Sequence, residues 1–181
     1  MLDAEILDQL LSIAARIPLK NSYGKYYVVL DEPQAVDSSV TIRGLPYDSH
    51  VIKVDSFTSP DALFKGEKGE RRRADYVIIC DSKKRIIYIE LKRTKDAWGH
   101  IVNQLLGAEC FVKYCQEIGR SFWNEPTFLE GYEHRFISIG HTSIAKRKTK
   151  IEKTAAKHDS PNKAMKIDWP NTLQFNHLAG A

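Results

Sequence analysis

Three charged residues in the middle of the chain have the types and spacing to do chemistry. Asp75 opens an apolar run at 74–80, and Glu90 and Lys92 close a second one at Arg85–Lys92. Two carboxylates a few ångströms apart resist full ionisation, and a divalent cation relieves that repulsion. Oxygen ligands favour Mg²⁺ or Mn²⁺ over Zn²⁺, and bound Mg²⁺ accepts phosphate oxygens. The three residues indicate phosphodiester hydrolysis, with Lys92 positioning or deprotonating the attacking water, or stabilising charge on the phosphate.

Two short strands must position these residues. The runs at 74–80 and 85–92 are separated by four residues, which predicts an antiparallel hairpin. Alternation along the second strand places Tyr88, Glu90 and Lys92 on one face. Because the turn lies at the far end of the hairpin, Asp75 is expected to meet Glu90 and Lys92 at the open end.

The remaining pattern predicts one α/β domain over residues 1–181. Apolar residues at helical spacing predict a helix over 2–17, ended by Pro18, and a second helix over 98–116. Further strands are predicted at 25–30, 50–54 and 136–139, and most of 31–62 receives no assignment. This order predicts a central mixed β-sheet flanked by helices, followed by a basic C-terminal segment at about 145–181.

The hairpin and the helix after it resemble the PD-(D/E)XK nuclease superfamily, which has a restriction-endonuclease-like fold. Asp75, fourteen further residues and then Glu90-Leu91-Lys92 carry the likeness, which covers about residues 70–115. The resemblance implies an αβββαβ core. It also implies that Asp75 and Glu90 bind the metal, that Lys92 is the catalytic lysine, and that the Leu91 carbonyl contacts the metal.

Two further residues match positions that some branches of this superfamily use. Glu5, on the first predicted helix, matches an additional metal-binding acid, and Gln104 matches a glutamine of the catalytic site. Each also has a plain interpretation, since acids favour the first turn of a helix and Gln104 suits a helix flank. The chain departs from the family pattern at Ala74, where the motif has proline. It also has Ala108 in place of the tyrosine of the exonuclease-type signature.

By this resemblance the protein is a Mg²⁺-dependent nuclease in which Mn²⁺ can substitute. An endonuclease acting on DNA is favoured over one acting on RNA, because most relatives cut DNA. Restriction, phage defence or repair is the implied setting. The resemblance also implies a homodimer or a larger complex with a partner protein.

The charge distribution suits a polyanionic partner. The formal net charge is +4, but residues 1–63 carry 5 basic and 9 acidic side chains, whereas 64–120 carry 13 and 8. A solvated basic surface is the alternative explanation. The residues expected to hold a nucleic-acid backbone are Arg71, Arg72, Arg73, Arg93, Lys95, Lys146, Arg147 and Lys148.

Several classes of protein are not expected. No apolar run approaches the roughly 18 residues of a membrane span, and the first residues do not resemble a secretory signal. Three cysteines without framework spacing indicate reduced thiols and a cytoplasmic protein. No spacing supports a zinc site, and no glycine-rich loop supports ATP binding.

Three alternatives to a nuclease stay open at this point. Glu90 and Lys92 could be solvated charges that protect an edge strand, with Asp75 capping the strand start. The chain could also be an inactive subunit of the same fold that binds nucleic acid or assembles with a protein. A small interaction protein with a coincidental charge pattern is the third.

Overall fold

The computed structural model describes residues 1–31, 38–58, 61, 63–92, 96–140, 157–168 and 172–180. Within these residues the chain forms mixed sheets and α-helices, as an α/β protein. In chain order the elements are α1 (Asp3–Leu10), β1 (Arg16–Ile17), β2 (Lys20–Ser22), β3 (Lys25–Asp31), β4 (Ser39–Leu45), β5 (Ser49–Lys53), β6 (Tyr76–Cys80), β7 (Arg85–Lys92), α2 (Trp98–Phe122), β8 (Glu133–Gly140), β9 (Met165–Asp168), β10 (Thr172–Gln174) and α3 (Phe175–Ala179).

The larger sheet has the order β1-β5-β6-β7-β8-β9. Its first four strands are antiparallel neighbours, and β7, β8 and β9 are parallel. The predicted hairpin is confirmed, because β6 pairs with β7 across the short turn. Helix α2 supplies the long crossover that the parallel pair β7 and β8 needs. Strand β7 is therefore an interior strand with neighbours on both sides.

A second sheet, in the order β10-β4-β3-β2, covers one face of the larger sheet. Apolar side chains of both sheets and of α3 form a shared core between them. The opposite face of the larger sheet packs against α1 and α2 over a separate core. The prediction of a mixed sheet flanked by helices is thus correct for one face. The other face is covered mainly by the strands of the second sheet, of which β4 lies wholly within the segment 31–62 that received almost no assignment.

The predicted helix over 2–17 is wrong in its extent. Helix α1 ends at Leu10, since Leu11 already has extended backbone angles. Residues Arg16–Ile17 pair with β5 instead, and Ile13 is 83% exposed. Ile17 matches the apolar spacing because it packs against the core between the two sheets. It does so from a strand and not from a helix.

Helix α2 begins at the predicted residue and runs to Phe122, six residues beyond the predicted end. Its buried stripe lies against the helix-side face of the larger sheet. Gly119, past the predicted end, lies against the ring of the buried Phe128, which extends the packed stripe. In the part of the chain that the structure describes, no helix has both the length and the apolar character to cross a membrane.

Candidate functional site

The open end of the β6–β7 hairpin brings Asp75 beside the end of β7. The register pairs Cys80 with Arg85 and Tyr76 with Ile89, and one further step places Asp75 opposite Glu90. Asp75 Oδ2 accepts a hydrogen bond of 2.8 Å from the Leu91 backbone N–H. The Asp75 side chain therefore extends the hydrogen bonding between the two strands one residue beyond the start of β6.

Glu90 is a fully buried carboxylate within the larger sheet. Its side chain is 0% exposed, and its Oε1 lies 2.7 Å from Lys92 Nζ. Strand β7 buries Ile87, Ile89 and Leu91 against the second sheet, so Glu90 and Lys92 face the helix side, as alternation predicted. The interpretation of these charges as solvated protection of an edge strand is wrong, because β7 is interior and Glu90 is buried.

Lys92 is held in its charged form by the carboxylates around it. Burial by itself lowers the pKa of Lys92, but the charge and hydrogen bond of Glu90, followed by the charges of Asp75 and Asp96, outweigh it and raise the pKa. Lys92 Nζ lies 3.7 Å from Asp96 Oδ2, and its side chain is 19% exposed. Within the described ranges, Lys92 is the cation that lies within ion-pair distance of Glu90.

Asp96 is a member of this group that the sequence interpretation missed. Burial raises the pKa of Asp96, but hydrogen bonds from the Ala97 backbone and His100, together with the Lys92 charge, lower it overall. Its position immediately before the helix that starts at Trp98 was the available signal, since acids favour helix N-termini. Asp96 thus shares Lys92 with Glu90.

Gln104 lies on the part of α2 that packs over the sheet, next to the buried Leu105. Its Oε1 is buried, and no hydrogen-bond donor reaches it from the residues that the structure describes. A buried amide oxygen without a donor carries a desolvation penalty, and no contact among the described residues joins it to Asp75, Glu90 or Lys92.

Glu5 is not brought to the group. Its carboxylate accepts a hydrogen bond from the Leu2 backbone N–H at the start of its own helix. The adjacent Asp3 accepts hydrogen bonds from Lys84 and Tyr132, beside the turn between β6 and β7. The first turn of α1 therefore lies at the closed end of the hairpin, whereas Asp75 and Glu90 lie at the open end.

The three consecutive arginines before Asp75 point to different partners. Arg71 pairs with Asp61 at 3.4 Å, and the Arg73 guanidinium lies 4.9 Å from the centre of the Phe57 ring. Burial lowers the pKa of Arg73. Arg72 is exposed, while its backbone carbonyl lies against α2. The other expected backbone contacts, Arg93, Lys95, Lys146, Arg147 and Lys148, lie outside the described residues.

The ends of the neighbouring parallel strands add polar groups that the sequence did not reveal. Glu90 pairs in register with Ser138 on β8, and Ser138 pairs with Lys166 on β9. Lys166 Nζ lies 3.7 Å from the centre of the Trp98 ring. Carboxyl ends of parallel strands are where ligands bind in open α/β sheets, so the row extends the candidate site.

A cleft of about 480 Å³ lies elsewhere, around His134 at the opposite end of β8. Its lining includes Lys113, Lys157 and Asp159, and none of the residues predicted for the site. The His134 side chain bonds the buried Tyr88 hydroxyl at 3.0 Å, and burial lowers the pKa of His134. The convergence of charges at the end of β7, rather than this cleft, defines the candidate site.

The donor set at the end of β7 fits a hard divalent cation held by few protein ligands. Among the described residues, no group of three or more His, Cys, Asp or Glu side chains is arranged to hold a metal ion. Mg²⁺ does not need such a cage, because it binds proteins through one or two carboxylates and keeps several waters. Asp75, just before β6, and Glu90, on β7, are two carboxylates of this kind.

Comparisons of the chain with models of protein families, with curated proteins and with solved structures find no match. The function is therefore argued from the chemistry of the site itself.

Proposed function

We propose that this chain is a Mg²⁺-dependent nuclease with a PD-(D/E)XK-type site, and that Mn²⁺ can replace Mg²⁺. The proposal is supported by the elements α1, β5, β6, β7, α2 and β8, which follow the order αβββαβ once the four strands between α1 and β5 are treated as an insertion. Within that order, Asp75 precedes the second of the three strands and Glu90 and Lys92 end the third. DNA is the proposed substrate ahead of RNA, with internal cleavage, and restriction, phage defence or repair is the proposed setting.

The burial of Glu90 is the observation that carries the proposal. A carboxylate with 0% exposure on an interior strand is unfavourable for folding unless it is paired. Here it is paired with Lys92 and lies opposite Asp75, so three charges are held together at a strand end. Strongly interacting charges of this kind are concentrated at functional sites.

Asp75 and Glu90 would hold the metal ion, and the Leu91 carbonyl is the proposed third protein ligand. When bound, the ion would lower the pKa of a water molecule and neutralise charge on the phosphate. The Asp75 carboxylate is oriented by the hydrogen bond from the Leu91 N–H. Glu5 is left out of this set because it lies at the closed end of the hairpin.

Lys92 acts in this proposal as a cation and hydrogen-bond donor. The charges of the surrounding carboxylates favour its ammonium form, because they raise the pKa of Lys92. Its proposed role is to orient the attacking water and to stabilise negative charge on the phosphate oxygens. Gln104, with its buried amide oxygen, is proposed to orient the same water.

Cleavage assays with matched variants test the proposal. Plasmid DNA, single-stranded DNA and RNA are incubated with the protein in Mg²⁺, Mn²⁺ or EDTA. We expect cleavage that EDTA abolishes and that Asp75→Asn, Glu90→Gln and Lys92→Met each reduce at least about 100-fold. Glu117→Gln removes a carboxylate from the far end of α2 and is expected to retain full activity.

Other results would contradict the nuclease. Salt-sensitive binding of nucleic acid without cleavage in either metal ion would leave a binding module of the same architecture. Absence of binding and of cleavage would favour a protein-interaction role. Equal loss of activity in Glu117→Gln would indicate a general folding defect, which circular dichroism of each variant would reveal.

A further inference from the structure

A row of side chains runs across the parallel strands beside the candidate site. The register aligns Glu90 on β7, Ser138 on β8 and Lys166 on β9. Met165 and Ile167 pack into the core between the two sheets, so Lys166, between them, projects to the helix side. Lys166 and Glu90 therefore share one face of the larger sheet.

Lys166 differs from Lys92 in what surrounds its charge. Its Nζ lies 3.7 Å from the centre of the Trp98 ring, at the start of α2. Among the described residues no salt bridge involves Lys166, and its side chain is exposed. An aromatic face attracts an ammonium without neutralising it, so the charge is localised and still available to an external anion.

The two positions are close enough for one nucleic-acid strand to reach both. Neighbouring strands lie about 4.8 Å apart, so the backbones at Glu90 and Lys166 are separated by roughly 10 Å. A phosphate held at Lys166 would therefore lie within a few nucleotides of the phosphate at Glu90.

We propose that Lys166, positioned by Trp98, binds a backbone phosphate of the strand that is cut. This inference rests on the proposed nuclease function, and it assigns β9 and the start of α2 to substrate binding. The contact is electrostatic and independent of base sequence. Trp98 is a positioning residue in this arrangement, since it acts by holding the ammonium over its ring.

The salt dependence of binding tests the contact. Anisotropy of a fluorescent DNA duplex is measured in the Glu90→Gln background, which prevents cleavage, over about 50 to 200 mM salt. We expect Lys166→Gln to weaken binding and to reduce the slope of log K against log salt by about 0.9, the value for one lost phosphate contact. Lys20→Gln, which removes an exposed strand lysine from the second sheet, is the matched control and should leave the slope unchanged.

A second comparison tests the role of Trp98. Trp98→Leu keeps an apolar side chain against the core but removes the ring, so it should weaken binding and diminish the further effect of Lys166→Gln. Trp98→Phe retains an aromatic face and should largely preserve that effect. Full additivity of Trp98→Leu and Lys166→Gln would show that the ring does not position the ammonium.

The outcomes separate this inference from the proposed function. If the parent protein cleaves DNA but Lys166→Gln and Lys20→Gln have the same salt slope, the Lys166 contact is rejected and the nuclease stands. If the parent protein neither binds nor cleaves nucleic acid, both are rejected. A reduced slope confined to Lys166→Gln supports the contact even where the cleavage rate is unchanged.

Discussion

At the scale of single residues, the ion pair of Glu90 and Lys92 is the unusual feature of this chain. Glu90 is fully buried and Lys92 is partly buried, with exposed fractions of 0% and 19%. Removing two charges from water is unfavourable, and their mutual attraction often fails to offset that penalty. A pair of this kind is weak evidence for stability and is better explained by chemistry at the strand end.

Replacing the pair with uncharged residues tests this explanation. Lys92→Met leaves the Glu90 carboxylate buried beside Asp75, and we expect it to lower the free energy of unfolding by about 3 kcal/mol. The double variant Glu90→Gln/Lys92→Met removes both charges and should be more stable than Lys92→Met alone, because no charge of the pair is then left buried without its partner. Urea unfolding followed by tryptophan fluorescence measures both changes.

The exposed pair of Glu117 and Arg120 provides the control for that cycle. Its atoms are 2.9 Å apart on the surface of α2, so replacing both residues should change the free energy of unfolding by less than about 1 kcal/mol. If Glu90→Gln/Lys92→Met were as unstable as Lys92→Met alone, the buried pair would have a structural role instead.

At the scale of elements, a loop approaches α2 closely just before Asp75. The backbone carbonyl of Arg72 lies where a side chain at Gly107 would be, since a Cβ there would come within 1.7 Å of that oxygen. Only glycine permits this contact. Because Arg72 is three residues before Asp75, the contact connects the helix to the site.

Gly107→Ala should therefore displace the segment that leads into β6. We expect a loss of about 1–3 kcal/mol in the free energy of unfolding, as for other overpacked sites, together with weaker protection of the Leu91 amide from hydrogen exchange. The second effect reports directly on the hydrogen bond from Leu91 N–H to Asp75.

Gly99→Ala is the matched control on the same helix. A Cβ at Gly99 meets nothing within 4 Å, so alanine should stabilise the helix by up to about 1 kcal/mol and leave Leu91 protection intact. Unchanged Leu91 exchange in Gly107→Ala would mean that the loop does not position Asp75.

At the scale of the whole molecule, the three layers place the candidate site on one side of the central sheet. The second sheet covers the other face, so Asp75, Glu90, Lys92 and Lys166 share the helix side. A metal ion that binds only the folded state at this site would raise the stability of the entire domain by mass action.

Thermal unfolding in Mg²⁺ measures this stabilisation of the folded state by the bound ion. At a free concentration about 100 times Kd, stabilisation of about 2.7 kcal/mol corresponds to a rise in Tm of roughly 5–10 °C for a chain of this size. Asp75→Asn and Glu90→Gln should lose this rise, while Glu117→Gln keeps it. A KCl series at matched ionic strength accounts for screening, and equal rises in parent and Asp75→Asn would exclude Asp75 as a ligand.

Local pattern in the sequence was sufficient to determine the hairpin and the shared face of its charges. The strand period of two and the short turn place Asp75, Glu90 and Lys92 together without reference to any distant residue. The same local rule overextended α1, because apolar spacing does not distinguish a helix from a bend followed by a short strand. The start of α2 could also be predicted from local sequence, because its apolar residues recur at helical spacing.

The tertiary structure alone decided which of these charges are buried and what lies beside them. The interior place of β7 depends on pairing with β8, more than 40 residues away, and the contact of Lys166 with Trp98 also joins distant segments. Single-sequence periodicity contains no information about such pairings, because the free energy that selects them arises from packing between elements. The sequence therefore determined which residues could do chemistry, and long-range packing determined the surroundings in which they would do it.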